Sequence, residues 1–294
     1  MSSLSPCPDC GGARVRLLGA LPDGVFFAGK PLAKPLPGGE LLRCDTCALR
    51  WRWPQLRDYA PLYDNQCVDA WSLGPLRTDQ RLVLECIAAR HTARSVLDFG
   101  CYRGEFLARL PAHLARYGVE VSSAAAALAA EHAGARVVSR IDQFEAAQRF
   151  DIIVAMDVIE HVPSPRVLLV QLLQRLAPGG VLIVTTGDGG NLLFRLVGPR
   201  WWYCYFPEHL AFISQAWLQY HLPRLQAHLQ VLRTFRSLEE QGGAAKRWLA
   251  WLRYLLRPAH HARKRARHLA QHGRDRGVPG GGLSRDHLLA QITR

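Results

Sequence analysis

No apolar run in this chain approaches the roughly 18–20 residues that crossing a bilayer requires. Runs such as Ile152–Met156 and Val181–Val184 hold only five and four residues. The opening residues, Met1-Ser-Ser-Leu-Ser-Pro-Cys7, lack the basic stretch and apolar core of a secretory signal, so a cytoplasmic location is expected. Acidic side chains are scarce, 24 against 37 Lys and Arg, but the shortage is local. Between Ala244 and Arg294, twelve Lys and Arg face two Asp, so this segment carries +10 of the net +13. The remainder is nearly neutral, and charge says little about its chemistry. What is present is ordinary globular material, 49% hydrophobic and 21% charged. At 294 residues it suits one large domain plus a small module.

Eight cysteines are present, and a cytosolic chain does not favour a disulfide framework. Four of them form two knuckles, Cys7-Pro-Asp-Cys10 and Cys44-Asp-Thr-Cys47, with 33 residues between. Two residues between cysteines let both thiolates reach one ion, and two such pairs complete a tetrahedral sulfur shell suited to Zn²⁺. With no open coordination position, such a zinc is structural. A redox dithiol or two unrelated pairs are the competing readings. The intervening segment carries Pro22, Pro31, Pro35, Pro37, Gly24, Gly29, Gly38 and Gly39 and reads as an extended, turn-rich loop. Leu49, Trp51 and Trp53 alternate as on a ribbon strand with one buried face. These rings, and Tyr59 and Tyr63 beyond, would pack the ribbon on the next domain. Thr78–His91 reads as a capping helix with Leu82 and Ile87 on one side.

The most informative stretch is Ser95-Val-Leu-Asp98-Phe-Gly100-Cys-Tyr102-Arg-Gly104, followed by Glu105-Phe-Leu-Ala-Arg-Leu110. A short apolar strand ends near an acid, enters a glycine turn and opens a helix. Glycine is required where backbone nears a ligand or takes positive φ, and a helix start offers free N–H groups. Arg116–Val121 reads as a second strand ending at Glu120, an acid placed to accept ribose hydroxyls. This logic fits a nucleotide site, with NAD as one occupant.

The turn resembles motif I of class I S-adenosylmethionine-dependent methyltransferases, Asp/Glu-x-Gly-x-Gly-x-Gly. Asp98, Gly100 and Gly104 match, while Tyr102 stands where the middle glycine is usual. Phe150–Met156 with Asp157-Val-Ile-Glu160-His161 resembles motif IV of ubiquinone-type O-methyltransferases. Leu176-Ala-Pro-Gly-Gly180 and Pro207-Glu-His209-Leu-Ala-Phe-Ile-Ser214 are similar to segments of the same superfamily. The resemblance implies an α/β fold: a Rossmann-like seven-stranded sheet with an antiparallel last strand, behind the zinc ribbon. It implies S-adenosylmethionine as cofactor, bordered by Asp98, Gly100, Gly104, Glu120, Met156 and Asp157. Asp98 would lie near its amino group and Glu120 on its ribose. A double-CxxC head on such a domain resembles enzymes acting on small-molecule, sugar or polysaccharide-precursor acceptors. In ubiquinone-type relatives, residues matching Asp157, Glu160 and His161 can also bind a divalent cation.

A hydroxyl acceptor must lose a proton, for which histidine is apt. His209 is the leading base candidate and His161 the second; either could instead order a loop. Trp201, Trp202, Tyr203, Tyr205 and Phe206 could form an acceptor wall or a core. Cys67, Cys86 and Cys204 read as ordinary buried residues.

Ser214 is placed to cap a helix through Trp217, and Leu229–Phe235 and Asp286–Arg294 read as the last two strands. The expected organisation is therefore a ribbon over 1–60, a linker and capping helix over 61–94, and a catalytic domain over 95–237 plus 286–294. A basic insertion fills 238–285. Within it, Trp248, Trp251, Leu252 and Leu255 share a helical stripe, and 259–272 is a second basic candidate. The segment 244–272 could touch an anionic membrane, bind nucleic acid, or form a lid or subunit contact, with nucleic acid ranked lowest. Two other functions remain in view: an RNA methyltransferase, and a noncatalytic S-adenosylmethionine-binding scaffold.

Overall fold

The computed structural model describes residues 5–27, 30–55, 76–236 and 285–294, with scattered helical positions between 245 and 257. Five strands precede the first helix: β1 (Val15–Ala20), β2 (Gly24–Phe27), β3 (Lys30–Leu36), β4 (Glu40–Cys44) and β5 (Arg50–Trp53). β1, β4 and β5 pair antiparallel. The segment between the knuckles is thus largely stranded rather than an extended loop, and β2 and β3 form their own hairpin. Two strands alone have only edges, which is why β3 accommodates Pro31 and Pro35.

Downstream come α1 (Thr78–Ala88), β6 (Ser95–Phe99), α2 (Glu105–Ala108), β7 (Ala115–Val119), α3 (Ser123–Ala133) and β8 (Arg136–Val138). They are followed by β9 (Phe150–Met156), α4 (Pro165–Gln174), β10 (Leu176–Gly187), α5 (Leu192–Val197) and β11 (Ala211–Phe212). The last elements are α6 (Gln215–His221), β12 (His228–Phe235) and β13 (His287–Thr293). Seven strands assemble in the order β12-β13-β10-β9-β6-β7-β8. β6 to β10 are parallel, and β13 runs antiparallel between β10 and β12. This is the α/β sheet the sequence predicts. Val96, Leu97, Ile152, Ile153, Val181 and Leu182 are fully buried, as strands covered on both faces must be. Ser122, Ser164, Asn191 and Ser214 cap their helices by accepting a backbone N–H, each contributing about 1 kcal/mol. The direction of strand connection reverses between β6 and β9, which creates a crevice at their carboxyl ends.

The N-terminal sheet does not stop at β5. β11, from the larger unit, pairs antiparallel with it, Ala211 opposite Trp51. The expected alternation fails here, because Arg52 is buried while Trp53 is partly exposed. The reason is hydrogen bonding. The Arg52 guanidinium donates to the carbonyls of Gly38, Cys204, Phe206 and His209 at 2.5–3.4 Å. A second tie runs from the first knuckle: Asp9 accepts from the Ser164 hydroxyl (2.7 Å) and from Trp217 Nε1 (2.7 Å).

The expectations placed on Tyr59, Tyr63, Cys67, Trp251, Leu255 and 259–272 lie outside the described residues. Of the stripe's other members, Trp248 is exposed and Leu252 half-buried. Among the described residues no helix is long and apolar enough to cross a membrane.

Replacing Arg52 strands several buried carbonyls at once. Arg52→Ala is expected to cost at least ~3 kcal/mol in urea unfolding. Arg16→Ala removes only a surface pair with Asp45 at 2.8 Å and should cost ~0–1 kcal/mol. Equal midpoint shifts for the two variants would contradict this role for Arg52.

Candidate active site and metal centre

Asp98 lies within β6, 2% exposed, and its Oδ1 has no hydrogen-bond partner among the described residues. The turn after it keeps left-handed backbone at Gly100 (φ 85°), Tyr102 (φ 48°) and Gly104 (φ 78°). Tyr102 therefore adopts the conformation that glycine takes most easily, and its N–H donates to Glu120 Oε2 at 2.9 Å. Glu120 Oε1 accepts the N–H of Ser122 at 2.9 Å. Protein neighbours account for the two glycines. A Cβ at Gly100 would come within 2.5 Å of Val158, and one at Gly104 within 2.8 Å of the Ala129 backbone in α3. The helix that follows, α2, is a single four-residue turn.

Across the crevice, Met156 ends β9 and Asp157 follows in left-handed conformation (φ 51°). Arg77, just before α1, holds Asp157 Oδ2 at 3.0 Å and grips Asp79 in a fork at 2.5 and 3.1 Å. Asp157 Oδ1 has no partner among the described residues. Arg77 and Asp79 were not anticipated as site residues; the available signal was an acid in the first turn of the predicted capping helix. Burial, reinforced by the Glu120 carboxylate and opposed by Arg77, pushes Asp98 up to about 7. Among the described residues the crevice thus brings four carboxylates, Asp79, Asp98, Glu120 and Asp157, around the Arg77 guanidinium. Such a field suits a cationic ligand.

Beyond Asp157 lies a packed cluster of rings. The Tyr203 hydroxyl accepts the Gly187 N–H at 3.2 Å and donates to Glu160 Oε1. Burial and the neighbouring Asp157 push Glu160 up to about 8. His209 and His161 meet edge to face with centroids 4.9 Å apart. His209 Nδ1 lies 2.9 Å from the Tyr203 carbonyl and His161 Nδ1 3.1 Å from that of Glu208. A carbonyl only accepts, so each ring carries its proton on Nδ1 and its lone pair on Nε2. Burial lowers both, His209 well below the ordinary histidine value, and a protonated His161 would lower it further. His209 is therefore neutral and a weak proton acceptor. Trp201, Trp202 and Tyr203 are buried and join Phe194 and Phe212 in one core cluster. Glu160, His161 and His209 each offer a donor atom, all within 4.8 Å of one another, so this group could also hold a metal ion.

The four knuckle cysteines come together as their spacing predicts, with their sulfurs within 4.8 Å of one another. The Cys7–Cys47 and Cys10–Cys44 sulfurs are each 3.5 Å apart. The N–H groups of Thr46 and Cys47 point at Cys44 Sγ from 3.3 and 3.4 Å. Disulfide sulfurs would be about 2.05 Å apart, whereas a tetrahedral shell with ~2.3 Å zinc–sulfur bonds has edges of about 3.8 Å. Cys86 and Cys204 are buried, as expected.

Residues 76–278 match a family described as a methyltransferase domain. A ubiquinone biosynthesis O-methyltransferase of Alkalilimnicola ehrlichii is 30% identical over 175 residues, 55% of this chain and 65% of that protein. Its counterpart in Marinobacter nauticus is 27% identical over 180 residues, 55% and 68% of the two chains. The chain thus spans about two thirds of the length of these curated relatives. Among solved structures, the complex of a Haloferax volcanii methyltransferase activator with its candidate methyltransferase is similar in fold. The TM-score is 0.50 at 14% identity, over 73% of this chain and 91% of that one.

Asp98 supplies a pH test. Below about 7 it is a neutral acid in the free protein, and above it an anion. Affinity for cationic S-adenosylmethionine should fall by up to about tenfold per unit as pH drops below that value and level off above it. Asp98→Asn should flatten the dependence. Calorimetry showing the same wild-type affinity from about pH 5.5 to 8 would remove Asp98 from the ligand's surroundings.

Proposed function

The chain belongs to the methyltransferase-domain family, and from that premise we propose that it transfers the methyl group of S-adenosylmethionine to a hydroxyl of a small-molecule, sugar or polysaccharide-precursor acceptor. The observation that carries the reading is the pair of buried, unpartnered carboxylate oxygens, Asp98 Oδ1 and Asp157 Oδ1, at the strand reversal. Leaving such atoms unpaired is costly, and a ligand with ammonium and sulfonium charge would relieve it. Asp98 would hold the amino group and Glu120 the ribose. The Gly100–Gly104 turn, Met156 and Asp157 would border the rest. The bound cofactor supplies an electrophilic methyl group. The chain's own task is to align an acceptor with it, exclude water and receive a proton.

The polar groups beside the ring cluster, Glu160, His161 and His209, support an acceptor site there. His209, with its lone pair on Nε2, would orient a hydroxyl by accepting its hydrogen bond, with the His161 ring beside it. The resemblance to O-methyltransferases over half the chain supports oxygen as the methylated atom. The four-cysteine cluster fits one structural zinc: its sulfur spacing and N–H donors suit bound thiolates.

The test is label transfer from methyl-labelled S-adenosylmethionine to 3,4-dihydroxybenzoate, a nucleoside-diphosphate hexose and an RNA transcript. Label is expected in a hydroxyl-bearing small molecule. Label in RNA alone would overturn the acceptor class, and tight cofactor binding with no transfer would indicate a scaffold. For the metal, elemental analysis should find about one zinc per chain. A strong chelator should lower the melting temperature by several degrees, because the ribbon sheet is shared with the larger unit. A metal-free chain with unchanged melting would refute the zinc.

A further inference from the structure

β13 begins where the crevice opens. Its antiparallel register sets His287 opposite Gly187, at the carboxyl end of β10, and opposite Phe235 on β12. The first residue of an antiparallel strand thereby reaches the same sheet edge as Asp98 and Asp157. Both Asp286 and His287 are buried, and His287 Nδ1 lies 3.2 Å from Asp286 Oδ1. A carboxylate accepts, so Nδ1 is the donor and Nε2 keeps the lone pair. No described residue hydrogen-bonds that Nε2. The ring lies over Trp202 at 6.0 Å and meets Tyr203 at 5.3 Å, the residue whose hydroxyl engages Glu160.

The pair is not what a strand needs for packing. The positions that follow, Leu288, Leu289 and Ala290, are apolar and fully buried, and apolar residues would fill the first positions more cheaply. A carboxylate backing one imidazole nitrogen, with no described hydrogen bond on the other, at the carboxyl-end edge of the sheet, is an arrangement for receiving protons. His209 lacks it: its Nδ1 rests on a neutral carbonyl, with a second imidazole 4.9 Å away.

We infer that Asp286 and His287 form the general-base dyad of methyl transfer, His287 Nε2 taking the acceptor hydroxyl's proton while Asp286 fixes the ring's tautomer and stabilises the imidazolium. The inference rests on the hydroxyl-acceptor reading above. As the acceptor's oxygen–methyl bond forms, the methyl–sulfur bond breaks and its electron pair stays on sulfur, leaving a neutral thioether. The hydroxyl proton passes to Nε2, and solvent later removes it. Burial disfavours charge on His287, but the Asp286 carboxylate outweighs it, with Asp157 and Glu160 adding, and the ring stands above the ordinary histidine value. Asp188, Tyr203 and His209 are the other titratable groups near it.

Nitrogen-15 NMR of histidine-labelled full-length protein tests the dyad without an acceptor. The neutral His287 ring should carry its proton on Nδ1 and titrate above the ordinary value of about 6.5, with the midpoint falling in Asp286→Asn. Turnover of 3,4-dihydroxybenzoate should drop about 10²–10⁴-fold in His287→Gln, while S-adenosylhomocysteine affinity stays within about twofold. A proton on Nε2, or a His287→Gln variant with wild-type turnover, would overturn the dyad. A wild-type protein that methylates no hydroxyl acceptor would overturn the acceptor reading instead, and the tautomer and titration would still decide whether His287 is poised as a base.

Discussion

Asp98 is a carboxyl group inside a sheet strand, with Val96 and Leu97 buried before it and no hydrogen-bond partner for its buried Oδ1 among the described residues. Desolvation of this kind raises the free energy of the empty protein, and the chain has left it uncompensated. Much of the local architecture follows from that constraint. The turn beyond β6 takes left-handed conformations at Gly100, Tyr102 and Gly104, and Val158 and Ala129 pack where side chains at the two glycines would go. Arg77 reaches over from the approach to α1 and neutralises Asp157 and Asp79, so that four acids can share one crevice. Were Arg77 also committed to Asp98, the crevice would be satisfied and closed to a cation.

The second organising tie is Arg52. Its guanidinium binds a carbonyl near the ribbon's hairpin and three carbonyls of the segment carrying Tyr203 and His209. β11 pairs with β5 immediately afterwards in sequence. The cysteine module is therefore tied to the segment that carries Tyr203 and His209. Asp9, between two cysteines, holds the cap of α4 and the indole of Trp217.

The sheet was legible because its strands are apolar runs bounded by glycine turns and capped helices, features local in sequence. The crevice was legible for the same reason: Asp98, Gly100, Gly104 and Glu120 lie within one strand–turn–helix–strand unit. The cysteine knuckles were readable from spacing alone. What escaped notice depends on contacts between distant segments. Arg52 looked like an outward-facing residue between two tryptophans until β11 supplied its carbonyls. His209 stood out beside a recognisable motif, yet its surroundings deprive it of basicity. His287 carried no motif, since the Asp–His step gains meaning only when β13 slides between β10 and β12. The glycines were read as approaches to a ligand, and the nearer cause is the packing of Val158 and Ala129.

β13 is the innermost of the last-made strands: Leu289 lies opposite Thr185 on one side and Arg233 on the other. Roughly a hundred positions of chain separate these β10 and β13 partners, a long-range closure that is slow to find. Until the final residues arrive, β10 and β12 have no common neighbour, and both expose ladder groups to solvent. The crevice between β6 and β9 can therefore form well before the edge that β13 completes beside β10.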